Sequence, residues 1–152
     1  MAKIVHARTR GELAHVRALF TEYAATPRCA RAFRDFGKEL AELPGEYAPP
    51  DGCLLLATFR RRLAACVALS RADDGACKMK RLFVRPEFRG RGIGRSLALA
   101  AIAEARRIGY PRMRLYTFRF MREAIALYRT LGFRRVKLEG SAKALCMELD
   151  LE

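Results

Sequence analysis

Arginine and glycine alternate through Arg89-Gly90-Arg91-Gly92-Ile93-Gly94-Arg95-Ser96, and that spacing suits one kind of chemistry. A β-rich run, Met79 to Val84, leads into the stretch, and an alanine-rich helical pattern follows it at once. Strand, tight loop and helix start, in that order, make an anion site. Glycines remove Cβ atoms, so the backbone can close on a phosphate. The first helical turn adds free N–H groups and a partial positive charge. Arg89, Arg91 and Arg95 reinforce the pull on a polyanion. Two glycine loops are excluded by spacing. The dinucleotide fingerprint needs G-x-G-x-x-G, but these glycines fall at 90, 92 and 94 and position 95 is Arg. The Walker loop needs Lys-Ser/Thr after its last glycine, and Arg95-Ser96 stands there. The pattern left is R-x-x-G-x-G, on Arg89, Gly92 and Gly94.

A second motif lies downstream. Ala124-Ile125-Ala126-Leu127-Tyr128-Arg129-Thr130-Leu131-Gly132-Phe133 reads as a short helix ended by glycine, then a strand. Together the two motifs resemble those of the GCN5-related N-acetyltransferase (GNAT) superfamily, R-x-x-G-x-G and A-x-x-L-Y-x-x-x-G-F, in order and distance. The match is sharpest over Cys77 to Val136. The resemblance implies acetyl-coenzyme A as co-substrate, its diphosphate on Arg89 to Ser96. It implies that the backbone of Leu82, Phe83 and Val84 pairs with the pantetheine arm. It also implies Tyr128 as the acid beside the departing sulfur. The reaction implied is acetyl transfer to a primary amine by direct attack in a ternary complex.

Other positions depart from the family pattern. Many members carry a glutamate base on the strand before the loop. Here that strand offers Lys78, Met79, Lys80 and Arg81, and Met121 stands where an asparagine is common. The base stays unassigned, with Glu46 and Tyr47 near the expected acceptor side. Phe33, Tyr47 and Tyr116 are candidates for the acceptor pocket, with Phe36 and Phe118 behind them. The Lys78, Lys80 and Arg81 group would favour an acceptor bearing carboxylate or phosphate.

The elements that must hold these residues read as β-α-α-β-β-β-α-β-α-β-β. A strand at Lys3–Ala7 precedes a helix opened by the capping box Thr9-x-x-Glu12, with Leu13, Val16, Phe20 and Tyr23 on one face. Phe33, Phe36, Leu40 and Leu43 mark a second helix, stopped by Pro44-Gly45. Strands follow at Cys53–Phe59, Leu63–Leu69 and Cys77–Val84. The loop helix runs from Gly92 to Ile108. After it come a strand at Met113–Thr117, a helix at Met121–Leu131, and strands at Phe133–Leu138 and Ala144–Leu151. The reading is a single α/β domain over residues 1–152, with a mixed sheet of about seven strands flanked by about four helices, as the resemblance also implies.

Composition narrows the class. At 152 residues and 51% hydrophobic, the chain can bury a core. No apolar run approaches the roughly 20 residues of a membrane span, and no secretory h-region is visible near Met1. Cysteines at 29, 53, 66, 77 and 146 show no C-x-x-C pairing. They read as reduced, mostly buried thiols of a cytoplasmic protein without a metal site. Net charge is +14, which attracts polyanions, coenzyme A and nucleic acid among them. The arginines are spread over many turns, with no nucleic-acid motif and no ordered aromatic interleaving, so a solvated basic surface is the expectation. A basic nucleic-acid or ribosome-associated module on the same fold, without catalysis, is the alternative. Acceptor and pathway are not legible, and monomer and homodimer both stay open.

Overall fold

A computed structural model describes residues 2–27, 29, 35–136 and 144–152. Seven strands form one mixed sheet. They are β1 (Ala2–His6), β2 (Cys53–Phe59), β3 (Arg62–Arg71), β4 (Cys77–Val84), β5 (Arg112–Phe118), β6 (Arg134–Val136) and β7 (Ala144–Asp150). The helices are α1 (Arg10–Ala24), α2 (Phe36–Glu42), α3 (Ile93–Ile108) and α4 (Arg122–Thr130). The element order is the one expected, and the sheet order is β1-β2-β3-β4-β5-β7-β6. Every neighbouring pair is antiparallel except β4 with β5, which α3 joins by a crossover.

Alternating side chains divide each central strand between two cores. Leu55, Ala57, Val67 and Leu69 pack with Leu97, Ala101 and Ala105 of α3 and with Ile125 and Tyr128 of α4. Leu54, Leu56, Cys66 and Ala68 pack with Val16, Leu19 and Phe20 of α1. The capping box that opens α1 is present, Thr9 Oγ1 accepting from Glu12 N–H at 3.1 Å and Glu12 answering onto Thr9 N–H at 2.9 Å.

Strand β4 departs from this alternation. Cys77 and Met79 face the α3 core, but so do Leu82 and Val84, while Phe83 joins the α1 core. A bulge changes the parity. Lys80 lies opposite Ala68, yet Phe83 lies opposite Cys66, and Arg81 takes a left-handed φ of 61°. The Cys66 thiol donates to the Arg81 carbonyl at 3.4 Å. One extra residue therefore turns the last three of β4 over and bends the strand.

The bend coincides with a split in the sheet. β4 pairs with β5 only at Cys77–Met113 and Lys78–Arg114. β5 meanwhile runs fully paired along β7, from Arg112–Asp150 to Phe118–Ala144. Beyond Lys78 the two parallel strands diverge, and the edge of β4 toward β5 is left without a strand partner among the described residues.

Candidate active site

The divergence opens a cleft of about 660 Å³. Leu82, Phe83 and Val84 form its floor, and Phe88 to Gly90 with Gly92 to Arg95 close one end. Residues 120–124, Leu127 and Tyr128 stand on the α4 side, and Tyr23, Pro27 and Cys29 on the α1 side. Both cores thus contribute walls, which requires the sheet to split where it does.

The glycine loop meets the conditions for gripping a diphosphate. Gly90 and Gly92 both have φ of 77°, the left-handed region that glycine adopts without a Cβ penalty. A Cβ at Gly92 would meet nothing within 4 Å, so glycine is needed here for backbone shape, and open space stands beside it. Gly92 is the N-cap of α3 and supplies no side-chain cap. The first bond of the helix runs from Ser96 N–H to the Gly92 carbonyl at 3.0 Å. Ile93, Gly94 and Arg95 are therefore in the position of first-turn donors, at the positive end of a 16-residue helix. Gly94 lets the helix start sit close. Its Cβ position is 3.5 Å from Val84 Cγ2 and 3.9 Å from Leu127 Cδ2.

The arginines separate into two groups. Arg89 Nε donates to the Val84 carbonyl at 3.0 Å, and Arg95 Nη1 to Thr130 Oγ1 at 2.9 Å. Both line the cleft, with Arg122. Arg91 turns away, its guanidinium 5.0 Å from the Phe59 ring centroid. Ser96 is exposed, its N–H spent on the helix, and neither residue lines the cleft. Ile93 is buried, so only its backbone faces an anion.

Tyr128 is buried against Phe133, edge to face at 5.8 Å, on the wall above Leu82 to Val84. Burial pushes its hydroxyl pKa well above the ordinary tyrosine value. The motif did not mark a second cleft tyrosine, Tyr23. It stacks on Phe83 at 5.1 Å, and burial pushes its pKa up to about 12. In the sequence Tyr23 shows only as the last apolar position of α1, because the bulge that turns Phe83 toward it has no sequence signature.

Tyr47 and Tyr116, both candidates for the acceptor side, are not brought together. Tyr116 points outward from β5, 52% exposed, because its neighbours Leu115 and Thr117 take the inward positions. It does not line the cleft. Tyr47 is 1% exposed, and its hydroxyl donates to Glu39 Oε2 at 3.0 Å. It lines a separate hollow of about 460 Å³ with Lys80, Arg81 and residues of α2. Phe33 lies outside the described residues. Phe36 packs in the α1 core and Phe118 stacks on Phe120 at 5.4 Å.

The basic group expected to attract an anionic acceptor is largely neutralised. Arg81 grips Glu39 with two hydrogen bonds, Nε to Oε2 at 3.0 Å and Nη2 to Oε1 at 2.7 Å. Lys80 pairs with Glu46 at 3.1 Å. Burial pushes the Glu39 carboxyl up, but the Arg81 hydrogen bonds and charge outweigh it and hold the pKa below the usual range. Glu39 is thus a structural counter-ion, a poor base at neutral pH. Among the described residues no His, Cys, Asp or Glu group has the make-up of a metal site, and no helix is long and apolar enough to cross a membrane.

Comparison with known proteins agrees with this geometry. The profile of the Acetyltransferase (GNAT) family matches residues 13–133. The chain belongs to that family. An uncharacterized N-acetyltransferase of Schizosaccharomyces pombe is 34% identical over 125 residues, 81% of this chain and 77% of its own. One from Escherichia coli is 29% identical over 124 residues, 80% and 73% of the two chains. Among solved structures, a GNAT acetyltransferase from Staphylococcus aureus superposes over both full chains with a TM-score of 0.83 at 18% identity, which speaks for the fold alone. By family the protein is an acetyl-coenzyme A-dependent N-acetyltransferase.

Proposed function

We propose that the chain transfers the acetyl group of acetyl-coenzyme A directly to a primary amine, with Tyr128 as general acid. The observation that carries this reading is the coincidence of three features in one cleft. An open β4 edge, a helix start behind two left-handed glycines, and a buried tyrosine all face the same space. Arg89, the loop backbone and the first turn of α3 would hold the diphosphate, and the backbone of Leu82 to Val84 the pantetheine amides. An N–H near Leu82 or Phe83 would polarise the thioester carbonyl.

The acceptor nitrogen forms its bond to the carbonyl carbon, the carbon–sulfur bond breaks, and the thiolate takes the Tyr128 proton. The proton lost by the amine passes to water, and the Tyr128 phenolate regains a proton from water before the next turnover. Holding both reactants aligned is worth about 7–11 kcal/mol of barrier. Tyr128 acts through position, since a tyrosine whose pKa is raised is a weak acid toward a thiolate unless it sits beside it. Neither acceptor-side carboxylate is free to replace the missing base: Glu39 is bound to Arg81, and Glu46, on the Gly45–Tyr47 turn, pairs with Lys80.

A panel of amines, amino acids, polyamines, aminoglycosides and peptides, assayed by thiol release from acetyl-coenzyme A, tests the reading. Turnover with at least one amine class, and initial-rate patterns of sequential addition, are expected. A ping-pong pattern, with an acetylated enzyme isolable without acceptor, would contradict it.

A further inference from the structure

The hairpin between β2 and β3 is built from two arginines. Phe59 pairs with Arg62 across it, leaving Arg60 and Arg61 as a two-residue turn with φ of 51° and 65°. Both central residues left-handed is the arrangement that favours Asn-Gly. Two bulky, charged residues there are the opposite of what the backbone prefers.

Their side chains do not scatter into solvent. Arg60 lies over the Phe59 ring with its guanidinium carbon 5.3 Å from the centroid, and Arg91 from the glycine loop lies over the same ring at 5.0 Å. Arg62 lies over Phe88 at 4.9 Å, and the two rings meet edge to face at 6.2 Å. Three guanidiniums are therefore gathered on one pair of rings, with exposed Arg61 at the tip beside them. Like charges this close repel. The one carboxylate paired with them among the described residues is Glu87, 3.9 Å from Arg62. A ring under a guanidinium fixes its place without cancelling its charge. Phe88 lines the acetyl-coenzyme A cleft, but Phe59, Arg60, Arg61, Arg62 and Arg91 do not, so the GNAT reaction does not account for the four guanidiniums.

We propose that this flank is a docking surface for the phosphodiester backbone of a single-stranded nucleic acid. The planar guanidinium fork matches phosphate oxygens in pairs. The guanidinium planes also offer stacking surface to unpaired bases, which an acidic peptide would leave unused. The net charge of +14 extends the attraction to longer range. Phe59 adjoins Arg60 in the sequence and Phe88 adjoins Arg89, but the interleaving exists only where the hairpin meets the glycine loop.

The test is fluorescence anisotropy with labelled RNA and DNA single strands of about 20 nucleotides, in about 50 to 200 mM salt. The decisive variant carries Arg60→Asn and Arg61→Gly together. It removes both charges while supplying the residues the turn prefers, so its thermal midpoint should hold or rise. Its thiol-release rate should match the wild type, because neither position touches the cleft. Expected are strand binding by the wild type, at least tenfold weaker binding by the variant, and a salt slope shallower by about 1.4, at about 0.7 for each of the two phosphates no longer neutralised. The stronger of the RNA and DNA arms identifies the natural strand. No strand binding by the wild type, equal binding by the variant, or displacement of the strand by polyglutamate at matched charge would overturn the proposal.

Discussion

At Tyr128 two requirements pull against each other. Burial beside Phe133 raises its pKa, which keeps the proton in place at neutral pH but makes the group a weaker acid. In the proposed reaction only close approach to the leaving sulfur reconciles the two. Tyr128→Phe keeps the ring packing and removes the proton, so kcat should fall about 100-fold while KM for acetyl-coenzyme A changes little. An unchanged kcat in the thiol-release assay would remove Tyr128 from the chemistry. This residue was legible because a motif of fixed spacing carries it. Arg81 was legible only as a charge. Its partner Glu39 lies 42 positions away, and nothing in local spacing joins them, so an apparent anion-attracting residue proved to be half of a nearly dry ion pair. Tyr116 stays outside the cleft for a related reason. Strand alternation decides which face a residue takes, and here the inward places went to its neighbours.

At the scale of elements, the site depends on how tightly the start of α3 sits against β4 and α4. Gly94 stands at this contact, with Val84 and Leu127 at ordinary packing distance from a virtual Cβ. Gly94→Ala should therefore be tolerated. Gly94→Leu must push branched carbons between the helix start and Leu127, and should weaken acetyl-coenzyme A binding about tenfold or more, about 1.4 kcal/mol. Equal affinities for the two variants, measured by calorimetry, would show that the close approach is irrelevant to the donor. The strand–loop–helix unit and the element order could be read directly, because each follows from local periodicity and glycine placement. The bulge at Arg81 could not. A one-residue slip leaves the apolar pattern of Met79, Leu82, Phe83 and Val84 looking like an unbroken central strand. Yet that slip turns Phe83 toward Tyr23, at the point where β4 has already parted from β5.

For the whole molecule, the arginine excess is partly committed to holding the sheet's far strands together. Arg114 on β5 donates to Glu148 on β7 at 2.8 Å and to Asp74 on the β3–β4 turn at 2.7 Å. The hydrogen bond from Arg114, then that from the Ala76 N–H, lowers the Asp74 pKa to about 2. A depressed carboxylate stabilises the fold above its unfolded value, near 3.8, and that contribution disappears as pH falls toward about 2. Asp74→Asn should therefore unfold at lower urea than the wild type at neutral pH, with the gap closing near pH 2. A gap independent of pH would assign the loss to something other than the carboxylate charge. Because Asp74 is solvent-exposed, added salt should shrink the gap. Among the described residues Arg60, Arg61 and Arg91 have no carboxylate partner, and with Arg62, which meets Glu87, they gather where the β2–β3 hairpin meets the glycine loop. Composition announced the surplus, but only the fold shows where it is concentrated.

The account rests on a diphosphate seated against the backbone at the start of α3. Calorimetric titration of acetyl-coenzyme A into the wild type and into Gly92→Glu tests this most directly. The new side chain would place a carboxylate in the open space beside the N-cap, where the anion is expected. Roughly micromolar binding by the wild type, abolished in a Gly92→Glu protein that still unfolds cooperatively, is the predicted result. Equal affinity in both proteins would contradict the site, whatever the family.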